Sequence, residues 1–265
     1  MKIKELFEKG KPLFIPFIVS GHPDMETSTQ AILELSKSRA DIIELGIPFS
    51  DPIADGPINQ MASQKALQSG ATIPLILKQI EVIRSRGCKT PIVLFSYLNP
   101  IMAYGVERLA KDAKKAGANG MLIVDLPPEE GESVYSCITR AGLEIALFAS
   151  PTTDRARLQH YKKLSPSFIY YISRLGVTGT SQSLPEDLLT NIQSLRSSMK
   201  NIPIATGFGI STPEQAAEVS RISDGIIVGS KLVRTLEYEG LRELKNYACS
   251  LSNAIINVEQ KKPRN

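Results

Sequence analysis

The chain has 265 residues, 42% of them hydrophobic and 22% charged, which is an ordinary globular composition with room for a sizeable core. A net charge of +4, from 31 basic and 27 acidic side chains, is too small to indicate a nucleic-acid partner. Some of that excess lies in a frayed basic tail at about 258–265, and no basic stripe interleaves with aromatics. The three cysteines, Cys88, Cys137 and Cys249, show neither disulfide nor metal-ligand spacing, so reduced thiols in a cytoplasmic protein are expected, with no metal. The start, MKIKELFEKGK, has no apolar signal region, and no run reaches the ~20 residues of a membrane span.

Along the chain, short apolar runs alternate with helical patterns. KIKELFEKG comes first, with Ile3, Leu6 and Phe7 on one helical face. Strand-like runs follow at 13–19, 41–46, 91–97, 119–125, 143–149, 167–173, 202–207 and 224–229. Several are continuous rather than alternating, as strands buried on both faces read. Helical periodicity appears at 26–38, 58–70, 74–86, 106–116, 214–221 and 240–256. Eight strand–helix units in about 250 residues predict a single α/β domain over 1–265, a (β/α)8 TIM barrel. An extra N-terminal helix would cover its floor, and the second βα unit would carry an extra helix. A doubly wound open sheet is the alternative, but the turn after the first strand reads SGHPDM and not G-x-G-x-x-G.

In such a barrel, chemistry sits at the C-terminal strand ends. Three late strands end in glycine turns, SRLGVTGTS, TGFGIS and VGS. Glycines let backbone N–H groups approach an anion, so a phosphate is expected at Gly179, Gly209, Gly229 and Ser230. Glu44 ends the second run, among Ile42, Ile43, Leu45 and Ile47. Desolvation there would raise its pKa into the range of an acid–base catalyst. Asp55 lies eleven residues on, in a loop long enough to fold back over the mouth. A dry acid and a polar one suit a division of acid–base labour. Equally open is that Glu44 pairs with a basic side chain and the aspartates cap turns. Tyr170 reads as a mouth phenol or a core tyrosine, and Asp125 as a site residue or a helix cap. No lysine ends a strand as a Schiff-base aldolase would need, Lys231 lying past the eighth.

ELGIPFSDPIADGP, YISRLGVTG, TGFGIS and GIIVGS, in this order, resemble the tryptophan synthase α subunit family from Phe14 to about Leu251. The first motif is highly specific, while the glycine turns are shared with other phosphate-binding barrels. The resemblance implies cleavage of indole-3-glycerol phosphate to indole and glyceraldehyde 3-phosphate in tryptophan biosynthesis. It implies Glu44 as general acid–base, Asp55 as the hydrogen-bond partner of the indole N–H, and Tyr170 beside them. Phe17, Leu122 and Phe208 match walls around the indole, and Thr178 a closing-loop contact to Asp55. Gly179, Gly209, Gly229 and Ser230 match phosphate positions. The chain itself would need no cofactor. The implied partner is a pyridoxal-phosphate β subunit in an αββα heterotetramer, touching the loop with Asp51 and Pro52. Two positions depart from the family pattern: Leu175 replaces a common serine, and Phe95 a common aliphatic wall residue. An activator without chemistry, and a sugar-phosphate isomerase, are the competing functions.

Overall fold

The structure is a computed structural model describing residues 2–172, 187–207 and 209–258. Eight parallel strands close into a barrel in chain order, β1 pairing with both β2 and β8. They are β1 (Leu13–Val19), β2 (Ile43–Gly46), β3 (Ile92–Ser96), β4 (Gly120–Ile123), β5 (Glu144–Ala149), β6 (Phe168–Ile172), β7 (Ile204–Gly207) and β8 (Gly225–Val228). All eight expected strands are present, β1 at its expected bounds and the other seven trimmed at one or both ends. Alternation along each strand divides the core. Phe14 and Ile18 of β1 pack under the helices, whereas Leu13 and Ile15 join Val93, Leu122 and Phe168 inside the barrel.

Among the described residues twelve helices surround the sheet. They are α1 (Ile3–Phe7), α2 (Met25–Lys37), α3 (Pro57–Gln68), α4 (Ile73–Ser85), α5 (Leu98–Tyr104), α6 (Val106–Ala116), α7 (Glu132–Arg140), α8 (Arg155–Leu164), α9 (Leu188–Ser198), α10 (Pro213–Ser220), α11 (Ser230–Tyr238) and α12 (Gly240–Ile256). The second unit holds two helices, α3 and α4, as expected. The third and eighth are doubled as well, by α5 and α11.

The floor is closed by α1. Its Ile3, Leu6 and Phe7 are buried in the barrel interior, and the Phe7 ring lies 5.5 Å from that of Phe168. Its first turn leaves N–H groups without helical partners, and Glu144 at the start of β5 accepts from two of them, Ile3 N–H at 2.6 Å and Lys4 N–H at 3.1 Å. With the floor filled, the open end of the barrel is the mouth, where the chemistry of such barrels sits.

Candidate active site

Glu44 stands in the middle of β2, level with Phe17 on β1 and Val93 on β3. Its side chain points inward and is fully buried. Among the described residues neither carboxylate oxygen has a hydrogen-bond partner. The alternative of a salt bridge to a basic side chain therefore fails among those residues. A carboxylate without water or a counter-charge is costly, and burial alone pushes the Glu44 pKa up to about 8.

Asp55 has a different setting. It lies in the loop between β2 and α3, where burial raises its pKa to about 6 and hydrogen bonds from Tyr97 and Asn59 oppose that rise. Tyr97 Oη donates to Asp55 Oδ2 at 3.2 Å and accepts from Ala54 N–H at 3.0 Å. Gln60 Nε2 donates to the Asp55 carbonyl at 2.8 Å, and the Phe49 and Tyr97 rings lie 5.4 Å apart. Tyr97, directly after β3, is a site residue that the sequence alone did not single out. The signal was its place at a C-terminal strand end. Asp125 Oδ1 accepts from Leu98 N–H at 2.7 Å, so Asp125 caps the helix that starts beside Tyr97.

Tyr170 on β6 faces the same interior. Burial holds its phenol neutral, and Glu44 and Asp55 lie close enough for their charges to add to the effect. The rings of Phe17, Phe95, Phe148 and Tyr170 form a continuous chain, with successive centroids 5.0, 6.0 and 4.7 Å apart. Phe95 thus serves as a central stone of the aromatic wall. Leu122 is fully buried in the same cluster. Glycine makes the space: a Cβ at Gly207 would lie 2.4 Å from Tyr170 Oη.

Gly229 is the N-cap of α11 and Ser230 its first residue, so the N–H groups of that first turn, directly after β8, have no partner within the helix. Gly209 lies exposed, two residues past β7. Asp51 is exposed and accepts a hydrogen bond from Ser50, and Pro52 is half-buried beside it. Leu175, Thr178, Gly179 and Phe208 lie outside the described residues.

The family model for the tryptophan synthase alpha chain matches residues 3–262. The chain belongs to the tryptophan synthase alpha chain family. It is 42% identical over 259 residues to the tryptophan synthase alpha chain of Citrifermentans bemidjiense, covering 96% of both chains. It is 45% identical over 231 residues to that of Granulibacter bethesdensis, covering 87% of this chain and 83% of the relative. Among solved structures, tryptophan synthase subunit alpha from Legionella pneumophila superimposes with a TM-score of 0.88 at 33% identity, over 97% of this chain and 100% of the other. A Mycobacterium tuberculosis tryptophan synthase chain gives 0.87 at 30% identity, over 96% of each. Among the described residues, no helix is long and apolar enough to cross a membrane.

Proposed function

We propose that Glu44 and Asp55 divide the proton and charge work of the reaction of this family. The chain is a carbon–carbon lyase of tryptophan biosynthesis that cleaves indole-3-glycerol phosphate to indole and glyceraldehyde 3-phosphate. With its pKa raised to about 8, Glu44 carries a proton at neutral pH. It gives that proton to the ring carbon bearing the glycerol chain, which leaves a cation shared with the ring nitrogen. Asp55, ionised above about pH 6, accepts the ring N–H and stabilises that cation. The Glu44 carboxylate then takes the proton from the hydroxyl on the carbon next to the ring. The carbon–carbon bond breaks, its electrons restore the indole, and the hydroxyl carbon becomes the aldehyde. Glu44 ends protonated, as it began.

Tyr170 stands beside this pair and Phe17 and Leu122 wall the indole, with Phe208 and Thr178 assigned the wall and closing-loop roles that the family resemblance implies for them. The phosphate falls to the N–H groups at Gly179, Gly209, Gly229 and Ser230. The burial of Glu44, without a partner among the described residues, together with a hydrogen-bonded Asp55 carries this reading.

The family implies a β subunit as partner. We assign its contact to the loop with Asp51 and Pro52, where Ile53 is 86% exposed, and to neighbouring α5, where Met102 is 56% exposed. A partner pressing there would act on Asp55 through the Ala54–Tyr97 hydrogen bond, so indole release should rise on complex formation. The assembly would be a cytoplasmic αββα heterotetramer, with pyridoxal phosphate on the partner and no cofactor on this chain. The test is indole release from indole-3-glycerol phosphate, with and without β subunit. Release that the partner enhances supports the lyase. Stimulation of the partner without any indole would make the chain an activator.

A further inference from the structure

Away from the reacting groups, one charged cluster is built more tightly than an ordinary surface ion pair. Glu237 on α11 accepts Lys65 of α3 on one carboxylate oxygen. Its other oxygen meets His22 Nε2 at 2.9 Å. The His22 side chain is 1% exposed and that of Glu237 11%. Each member comes from a different element: the loop after β1, α3 and α11. The His22 loop is itself held, since Gly21 N–H donates to Ser28 Oγ at 3.0 Å and Ser69 Oγ donates to the Gly21 carbonyl at 3.2 Å. Burial keeps His22 neutral, and Lys65, followed by His22, keeps Glu237 ionised, so the charges suit a fixed array.

The placement of this cluster along its helices is the informative part. Helix α3 starts at Pro57, two residues after Asp55, and α11 starts at Ser230, directly after Gly229. At 1.5 Å per residue, Lys65 lies about 12 Å down α3 and Glu237 about 10 Å down α11. The cluster therefore joins the two helices at matched distance from their first residues, beside the loop that follows β1. The apolar contact between them is made largely of small side chains, Ala62 and Ala66 with Val233 and Val19, around Phe17. The polar tie adds a fixed, directional geometry to this contact.

We propose that the His22–Glu237–Lys65 cluster is a positioning device that fixes the spacing between the Asp55 loop and the Gly229–Ser230 turn, and with it the fit of a substrate long enough to touch both. This rests on the proposed binding of the indole at Asp55 and the phosphate at Gly229 and Ser230. A spacing device leaves each half-site intact and acts only on a ligand that spans them.

The experiment measures Glu237→Gln and Lys65→Met in complex with the β subunit. It compares kcat/KM for indole-3-glycerol phosphate with the dissociation constants of indole and of glycerol 3-phosphate. The expected result is a loss of about tenfold or more in kcat/KM, with both half-ligands bound within about twofold of wild type. Unchanged kcat/KM overturns the inference. So does a parallel weakening of the half-ligands, which would mark the cluster as simple scaffolding. If Glu237→Gln does not fold, Lys65→Met, at a side chain 44% exposed, removes the ion pair and decides alone. Failure of the lyase reading shows separately, as absence of indole from the wild-type complex.

Discussion

Glu144 begins β5 at the floor of the barrel, and Glu44 lies in β2 at its mouth. Both are glutamates on strands of one sheet. Glu144 accepts two backbone N–H groups from the first turn of α1, so its carboxylate satisfies donors that would otherwise have no partner. Glu44 has full burial and no partner among the described residues. The first arrangement holds the fold together. The second works against it, because a proton must stay on Glu44 until about pH 8 while the unfolded chain releases it near 4.5. The difference shows where the fold spends stability and where it keeps reactivity.

Removing the costly member should separate the two properties most sharply. Glu44→Gln should lower kcat by about a thousandfold or more, since the side chain that both gives and takes the proton is gone. The same substitution should stabilise the chain. Each pH unit between the two pKa values is about 1.4 kcal/mol. Below the unfolded value the native acid costs nothing. The penalty grows as pH rises and levels off above the folded value, at about 5 kcal/mol. Urea unfolding of the wild type and the variant should therefore agree near pH 4 and diverge by about 3 kcal/mol near pH 7. Equal stabilities at both pH values would mean that Glu44 is solvated or paired.

Gly207→Ala attacks the mouth from its other side. The added Cβ would meet Tyr170 at 2.4 Å, and a tyrosine ring packed on Phe148 has little room to withdraw. We expect about 1–3 kcal/mol of lost stability from overpacking, together with a fall in kcat as Tyr170 shifts. Glu144→Ala should do the opposite of Glu44→Gln. It removes two hydrogen bonds to a carboxylate at the floor, at a cost of about 2 kcal/mol, and leaves kcat within about twofold because the reacting groups lie at the far end. Calorimetry together with the indole assay distinguishes the two ends.

How much of this was legible in the sequence follows from how local each feature is. The eight strands were, because burial on both faces gives continuous apolar runs such as LFIPFIV. The doubling by α3 and α4 was too, through their periodic apolar positions. Helix α5 was not: it has seven residues, includes Pro100, and takes its cap from Asp125, 27 residues away. Helix α11 hid behind Gly229 and Ser230, which read as a loop. Glu44 could be named as a candidate, but the sequence left salt bridge and free acid equally open. Only the neighbours brought in by barrel closure decide that. Tyr97 escaped notice because its partner Asp55 is 42 residues away.

Tyr97 offers the finest test of the contrast, because it acts on the mouth without carrying the chemistry. If Asp55 must be ionised and Glu44 protonated, kcat/KM should be bell-shaped, with limbs near pH 6 and 8. The Tyr97 hydrogen bond favours the ionised form of Asp55, so Tyr97→Phe should raise the Asp55 pKa further. The acid limb should then move up by up to about one unit, while the alkaline limb, set by burial of Glu44, stays in place. Activity near pH 6 should fall a few-fold, and activity above pH 7 should change less, the remaining loss coming from Ala54 N–H without its acceptor. If both limbs move together, the two carboxylates titrate as a coupled pair, and the separation into a dry acid and a hydrogen-bonded one breaks down. If the acid limb alone moves, the loop carboxylate is tuned by its donors and the strand carboxylate by their absence.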